Sequence, residues 1–259
     1  MRKVKKMIFI KSLMIALSTY SIIPMPNFEW NEKNMKYAIC FFPCVGVLCG
    51  ALICAIGHFG VNLKLSNFFV AAVATCIPLL VTGGIHMDGF MDTVDALSSH
   101  QPKEKKLEIM SDPHTGAFAV IYCVIYLLLN LAFLYEIYSK GHIVSVCPIY
   151  ALSRCVSALC AVNLPNAKKT GMLSGYTKNA KRITVNIVVS VMAAISLAVM
   201  FYISFASGIA VAFVGILWTA LYYRIAKKNF GGVTGDTAGY FLQMFELLCI
   251  MSVWIGAML

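Results

Sequence analysis

The chain has 259 residues, 60% of them hydrophobic and only 12% charged, with a formal net charge of +10. An ordinary soluble domain carries roughly a quarter charged residues, so this composition excludes one and points to a chain that faces lipid or packs inside a bundle. The Lys and Arg cluster at the ends of apolar stretches, as orienting juxtamembrane charges do, and indicate no nucleic-acid partner.

Met1-Arg-Lys-Val-Lys-Lys precedes an apolar run in the manner of a signal peptide. Lys11 interrupts that run, and no small-x-small cleavage site follows before Pro24. The expectation is an interfacial amphipathic helix over about Met7 to Ile23, a short extra span being the alternative. Seven later segments have the roughly 20 apolar residues that a spanning helix needs: 35–57, 66–85, 117–138, 142–163, 184–204, 207–226 and 238–258. Strand alternation is absent, so helices are the spanning elements. The predicted fold is all-α, a polytopic transmembrane bundle in one domain over residues 1–259, with the lipid bilayer as its solvent.

With seven spans, one side of the membrane holds 18 of the 21 basic residues, leaving Lys64 and Lys140 opposite and Arg154 within a span. The crowded side is expected to be cytoplasmic. It also holds Asp88, Asp92, Asp95, Glu104, Glu108, Asp112 and Asp236, so the polar chemistry sits on that face. The ten cysteines form no CxxC pair and imply no disulfides.

The most informative stretch is GGIHMDGFMDTVDALSSH at 83–100. Asp88, Asp92 and Asp95 stand at i, i+4 and i+7, one face of a helix. Three carboxylates there repel unless a cation or protons neutralise them, and hard oxygen ligands suit magnesium, manganese or calcium. A solvated acidic face is the plainer reading. Glu108 and Asp112 follow at i and i+4 before Pro113 and Gly116. They are either a second carboxylate pair facing the first, as in a two-metal site, or helix residues paired locally with Lys103, Lys105 and Lys106. His86 and His114 lie beside the two clusters, as ligands, proton carriers, phosphate contacts or satisfied structural histidines.

Arg154 interrupts an apolar span, where it is either a phosphate-binding fork or the partner of a carboxylate on another helix. The 164–183 loop carries Lys168, Lys169, Lys178, Lys181 and Arg182 among turn formers; it suits a polyphosphate, although orienting charge explains much of it. Gly231, Gly232 and Gly235 in NFGGVTGDTAGYFLQMFE (229–246) allow close backbone approach to a ligand. Asp236 stands where it could cap the last span, and Glu246 lies deeper in the same span.

Four stretches together resemble the cobalamin synthase family, the adenosylcobinamide-GDP ribazoletransferases, over nearly the whole length. They are the GGxHxDGxxDxxDA block at 83–96, KLEIMSDPHTGAF at 106–118, the Ser153-Arg154 span with Leu164-Pro165, and GGVTGDTAG at 231–239. Pro113 and His114 depart from the family's usual Ser-Arg, and Asn-Ala-Lys-Lys at 166–169 departs from Tyr-Ala-Arg. The resemblance implies a multi-pass enzyme of the cell inner membrane with its site facing the cytoplasm. It joins adenosylcobinamide-GDP to α-ribazole or its 5′-phosphate and releases GMP, with Mg2+ as cofactor. On that reading Asp88, Asp92, Asp95 and Asp112 hold magnesium, and Asp88, Asp92, Glu108 and Arg154 are the catalytic set. His86, Lys168, Lys169, Gly231, Gly232 and Asp236 bind substrate. Two other readings stand beside this one. A CDP-alcohol-type membrane phosphotransferase has a DGxxAR segment, and here Phe-Met-Asp-Thr follows Asp88-Gly89. A cation-coupled transporter needs midplane ionisable groups and internal symmetry. The oligomeric state is left open, a homo-oligomer included.

Overall fold

A computed structural model describes residues 2–26, 31–168 and 171–256. The regular structure of the described residues is helical, with a single isolated β-bridge besides. In chain order the helices are α1 (Arg2–Tyr20), α2 (Glu32–Met35), α3 (Phe42–Asn62), α4 (Asn67–Thr82), α5 (Ile85–Ser98), α6 (Lys103–Ile109) and α7 (Ala117–Ser139). They continue as α8 (Cys147–Asn163), α9 (Met172–Asn179), α10 (Arg182–Ile203), α11 (Phe205–Phe230) and α12 (Gly235–Gly256).

Six helical segments among the described residues are long and apolar enough to cross a membrane: Ala38–Asn62, Ala117–Ser139, Ile143–Asn163, Arg182–Ile203, Phe205–Phe230 and Gly235–Gly256. The seventh expected span is α4, and it differs from the others in continuing into α5 through a bend of 94°. The bend has a local cause. Gly83 and Gly84 take φ of +63° and +78°, left-handed conformations that cost glycine nothing and end α4 after Thr82. Ser66 starts the same helix, its Oγ accepting from the Phe69 N–H at 3.2 Å. With 14 residues, α5 is about 21 Å long at 1.5 Å per residue, short of the ~30 Å hydrocarbon core, and is not itself a span. The N-terminal apolar helix, Met7–Tyr20, is likewise too short to cross.

Burial divides the bundle into a centre and a lipid-facing shell. α8 and α12 are largely buried, whereas α7, α10 and α11 expose apolar side chains such as Ile125, Leu128, Ile187, Ile195, Phe213 and Ile216. A helix apolar on its outer face belongs against hydrocarbon. α3 packs on α8 through Gly46 and Gly50, which meet the backbone at Tyr150 and Cys147, the small-residue contact that membrane helices use to approach closely. The cysteines are free.

The contact that matters for function is the crossing of α5 and α12. Gly89 lies against the Asp236 backbone, and a Cβ on Gly239 would stand 2.7 Å from the His86 carbonyl oxygen. Gly235, by contrast, meets nothing within 4 Å. Gly239→Ala is therefore expected to cost about 1–3 kcal/mol through overpacking, while Gly235→Ala leaves stability unchanged or raises it slightly. Thermal unfolding of the two variants in detergent checks this; equal melting temperatures would contradict the close crossing.

Candidate active site

The faces of α5 separate as the carboxylate spacing requires. Met87, Phe90 and Val94 are buried against Tyr126 and Leu247, while Asp88 is exposed and Asp92 and Asp95 are half-buried. Asp95 tucks its carboxylate against Gly116 at the start of α7, where any Cβ would collide with it. The α5–α12 crossing brings Asp236 to the same group. Burial, followed by the like charges of Asp88, Asp236 and Asp95, pushes the Asp92 carboxyl up to about 6, with Lys168 opposing the shift. Four carboxylates and one lysine thus share an electrostatic neighbourhood.

Asp236 is free to join because it does not cap α12. Thr234 takes that role: the Thr237 N–H donates to Thr234 Oγ1 at 3.1 Å, and the Thr234 N–H donates to Thr237 Oγ1 at 2.8 Å. The cap expected at Asp236 lies two residues earlier. Just before it, the chain is pinned to the basic loop. Asn166 and Val233 form a parallel bridge, with Ala167 N–H donating to the Val233 carbonyl at 2.9 Å and Val233 N–H to the Pro165 carbonyl at 2.8 Å. Gly232 is necessary there, since a Cβ would strike the Pro165 carbonyl; Gly231, at φ +79°, closes α11. These two glycines therefore fix backbone against backbone. The bridge delivers Lys168, whose Nζ donates to Ser111 Oγ at 2.9 Å. Lys169 lies outside the described residues.

Other expected members stand apart. Asp112 accepts from the His114 N–H at 2.9 Å and pairs with His114 Nδ1 at 2.7 Å, in an exposed loop; these bonds hold its carboxyl below the usual range. It is not among the charges that act on Asp92. Glu108 pairs with Lys105 at 2.6 Å, both exposed, on the outer side of α6. Of the two readings of this pair, the structure shows the local one: Glu108 turns to Lys105, and Asp112 to His114. Nothing in this geometry makes Glu108 a proton acceptor. Lys106 is buried and donates to Asn229 Oδ1 at 2.7 Å, tying α6 to α11.

Arg154 takes the second of its two readings. Its Nη1 pairs with Glu246 Oε1, and both side chains are 1% exposed. Ser153 Oγ donates to the same oxygen at 2.8 Å, and Arg154 Nη1 also donates to the Tyr150 carbonyl at 3.1 Å. The pair locks α8 to α12. Glu246 is a partner that its position already signals, an acid deep in an apolar span.

His86 is buried, its ring edge-on to Phe42 at 5.5 Å and stacked on Tyr20 at 6.2 Å between centroids. It lines a cavity of about 200 Å3 bounded by Tyr20, Ile39, Phe42, Ala158, Ala161 and Leu173, with Asp88 and Asp236 in its wall. No hydrogen bond joins His86 to a carboxylate among the described residues. Among the described residues, too, no three His, Cys, Asp or Glu side chains form a ready-made metal cage.

The family model described as Cobalamin-5-phosphate synthase matches residues 12–254. A protein of Lachnoclostridium phytofermentans named adenosylcobinamide-GDP ribazoletransferase is 39% identical over 248 residues, covering 96% of this chain and 95% of the relative. Proteins of the same name from Clostridium perfringens (30% identical, 96% of this chain and 99% of theirs) and Desulforamulus reducens (31%, 95% and 96%) also match. No solved structure matches.

The buried ion pair gives a direct test of the two readings of Arg154. Arg154→Met or Glu246→Leu alone strands a charge and is expected to cost about 3–5 kcal/mol, whereas the double replacement recovers most of it. Unfolding midpoints of the three variants measure this. An Arg154→Met protein of normal stability that has lost turnover would instead assign Arg154 to the substrate.

Proposed function

Since the chain belongs to the cobalamin-5-phosphate synthase family, we propose that it is an adenosylcobinamide-GDP ribazoletransferase, acting in cobalamin biosynthesis at the membrane, with the α5–α12 carboxylate group as its reaction centre. The observation that carries this assignment of the centre is the gathering of Asp88, Asp92, Asp95 and Asp236 beside Lys168.

The reaction joins a ribazole hydroxyl to the phosphorus attached to cobinamide. A new P–O bond forms, the diphosphate P–O bond breaks, and GMP leaves with the electron pair. Negative charge spreads over the phosphoryl oxygens in the transition state, so positioning and electrostatics dominate the rate. Lys168 sits where it can meet the diphosphate or the departing GMP. One of the grouped aspartates accepts the hydroxyl proton. Asp236, held at the first turn of α12 by the threonine cap, keeps the acceptor side of the group in place.

The donor set fits magnesium. Burial, followed by the like charges of Asp88, Asp236 and Asp95, raises the pKa of Asp92 to about 6; a divalent cation would relieve both, and all four carboxylates are hard oxygen donors. Magnesium typically takes one or two carboxylates together with substrate phosphates and waters, so it requires no complete cage of protein ligands. Asp88, Asp92, Asp95 and Asp236 would hold it, with Asp236 in place of Asp112. When bound, the ion neutralises diphosphate charge in the transition state. The concentration of Lys and Arg on one side, 18 of 21, supports a cytoplasmic location for this face.

The experiment is turnover by the purified full-length protein supplied with adenosylcobinamide-GDP, α-ribazole and Mg2+, followed as GMP release and corrinoid joining. Asp92→Asn is expected to lower kcat roughly a thousandfold or more, several kcal/mol of barrier, with membrane insertion unchanged. Near-normal turnover by this variant would remove Asp92 from the centre. GMP release without joining would contradict the ribazoletransferase reading.

A further inference from the structure

Two cysteines meet at the end of the bundle away from the carboxylate group. Cys54 lies about two turns before the end of α3, and Cys147 opens α8. They are 93 positions apart in the chain, yet their Sγ atoms stand 2.6 Å from one another. Both side chains are half-buried. The Cys147 thiol also reaches the Ile143 carbonyl at 3.7 Å, one turn earlier.

Packing explains the meeting. Gly46, Gly50, Cys54 and Gly57 recur at helical spacing on one face of α3. Gly46 meets the Tyr150 backbone, Gly50 the Cys147 backbone and Gly57 the Ile143 side chain. A Cβ on Gly50 would stand 2.4 Å from the Cys147 carbonyl oxygen, so the helices touch one turn before Cys54. A disulfide needs neighbouring Cα atoms and side chains that point at each other. The glycine face supplies the first, and the meeting sulfurs show the second. The pair has no sequence signature, because only the α3–α8 crossing brings its members together.

The pair is also within reach of a reagent. Cys54 lines a cavity of about 480 Å3 whose wall includes His58, Lys64, Asn67 and Ser139. All four are exposed polar side chains at the ends of α3, α4 and α7, so the cavity opens toward water. Five of the other eight cysteines are buried. With the carboxylate face cytoplasmic, as proposed above, this end faces the side of the membrane where thiols are not held reduced.

We propose that Cys54 and Cys147 are a redox-closable pair, converted by a small disulfide oxidant into an intramolecular disulfide that staples α3 to α8. The Cys54 thiolate attacks the oxidant's S–S bond, forming a mixed disulfide and releasing one small thiol. The Cys147 thiolate then attacks the Cys54 sulfur; the protein S–S bond forms and the second small thiol leaves. Two electrons pass to the oxidant, and the two protein thiol protons end on the released thiols. The closed loop contains α4 to α7, including α5 with its three aspartates, and restricts their unfolding. The pair lies apart from the carboxylate group, and its chemistry is independent of the transferase reaction.

The test treats the purified full-length protein in detergent with 2,2′-dithiodipyridine, caps the remaining thiols with iodoacetamide and maps the digest by mass spectrometry. The expected product is a peptide cross-linked from Cys54 to Cys147, two hydrogens lighter than its free halves and separated again by dithiothreitol. The melting temperature of the closed protein is expected to rise by about 5 °C or more over the reduced one. Cys54→Ser and Cys147→Ser, treated alike, should each show no such rise. Mapping of the wild-type protein decides the matter if neither variant folds. Lasting mixed disulfides at the pair, bonds from either cysteine to a third, or no reaction at the pair would overturn the proposal. A cross-link that leaves the melting temperature unchanged would overturn the staple.

Discussion

The architecture of the site depends on two backbones touching. Where α5 crosses α12, Gly89 and Gly239 leave no side chain between the helices. A side chain at either position would separate them and carry Asp236 away from Asp88 and Asp92. The contact therefore forces like charges together, and it does so at one end of a bundle whose centre is α8 and α12. Such an arrangement is unfavourable in isolation. The crossing is supported by apolar packing beside it, where Phe90 meets Tyr126 of α7 and Tyr240 of α12, and a ligand of positive charge would relieve the remaining repulsion.

Three attachments hold the surroundings of this crossing in register. The Arg154–Glu246 pair ties α8 to α12 inside the bundle. The Asn166–Val233 bridge ties the basic loop to the chain entering α12. The Lys106–Asn229 bond ties the short helix after α5 to the end of α11. The first and third use a buried cation met by a specific partner, which fixes direction in a way that apolar contact alone does not. The result is a polar rim beside the cavity that His86, Asp88 and Asp236 line.

Much of this was legible in the sequence. Apolar length located the spans, because a bilayer demands it, and the spacing of Asp88, Asp92 and Asp95 placed them on one helical face. Spacing along a helix is silent, however, on which faces meet. Glu108 and Asp112 share the same i, i+4 relation, yet they turn to Lys105 and His114, near neighbours in sequence. Asp236 looked like a cap because it begins a span; Thr234 caps instead, and the Thr-x-x-Thr spacing was the available clue. Arg154 and Glu246 were both visible as anomalies in apolar runs, and a requirement that buried charges be paired would have joined them. The bend at Gly83-Gly84 was missed as a bend because consecutive glycines are compatible with a turn of any size.

On the proposed function, Asp236, delivered by the glycine crossing, belongs to the cation-binding group and Asp112 does not. Mn2+ titration of the substrate-free protein, followed by electron paramagnetic resonance, tests this. Asp236→Asn is expected to weaken Mn2+ binding markedly, while Asp112→Asn binds as the unaltered protein does. Binding lost in Asp112→Asn and intact in Asp236→Asn would contradict it.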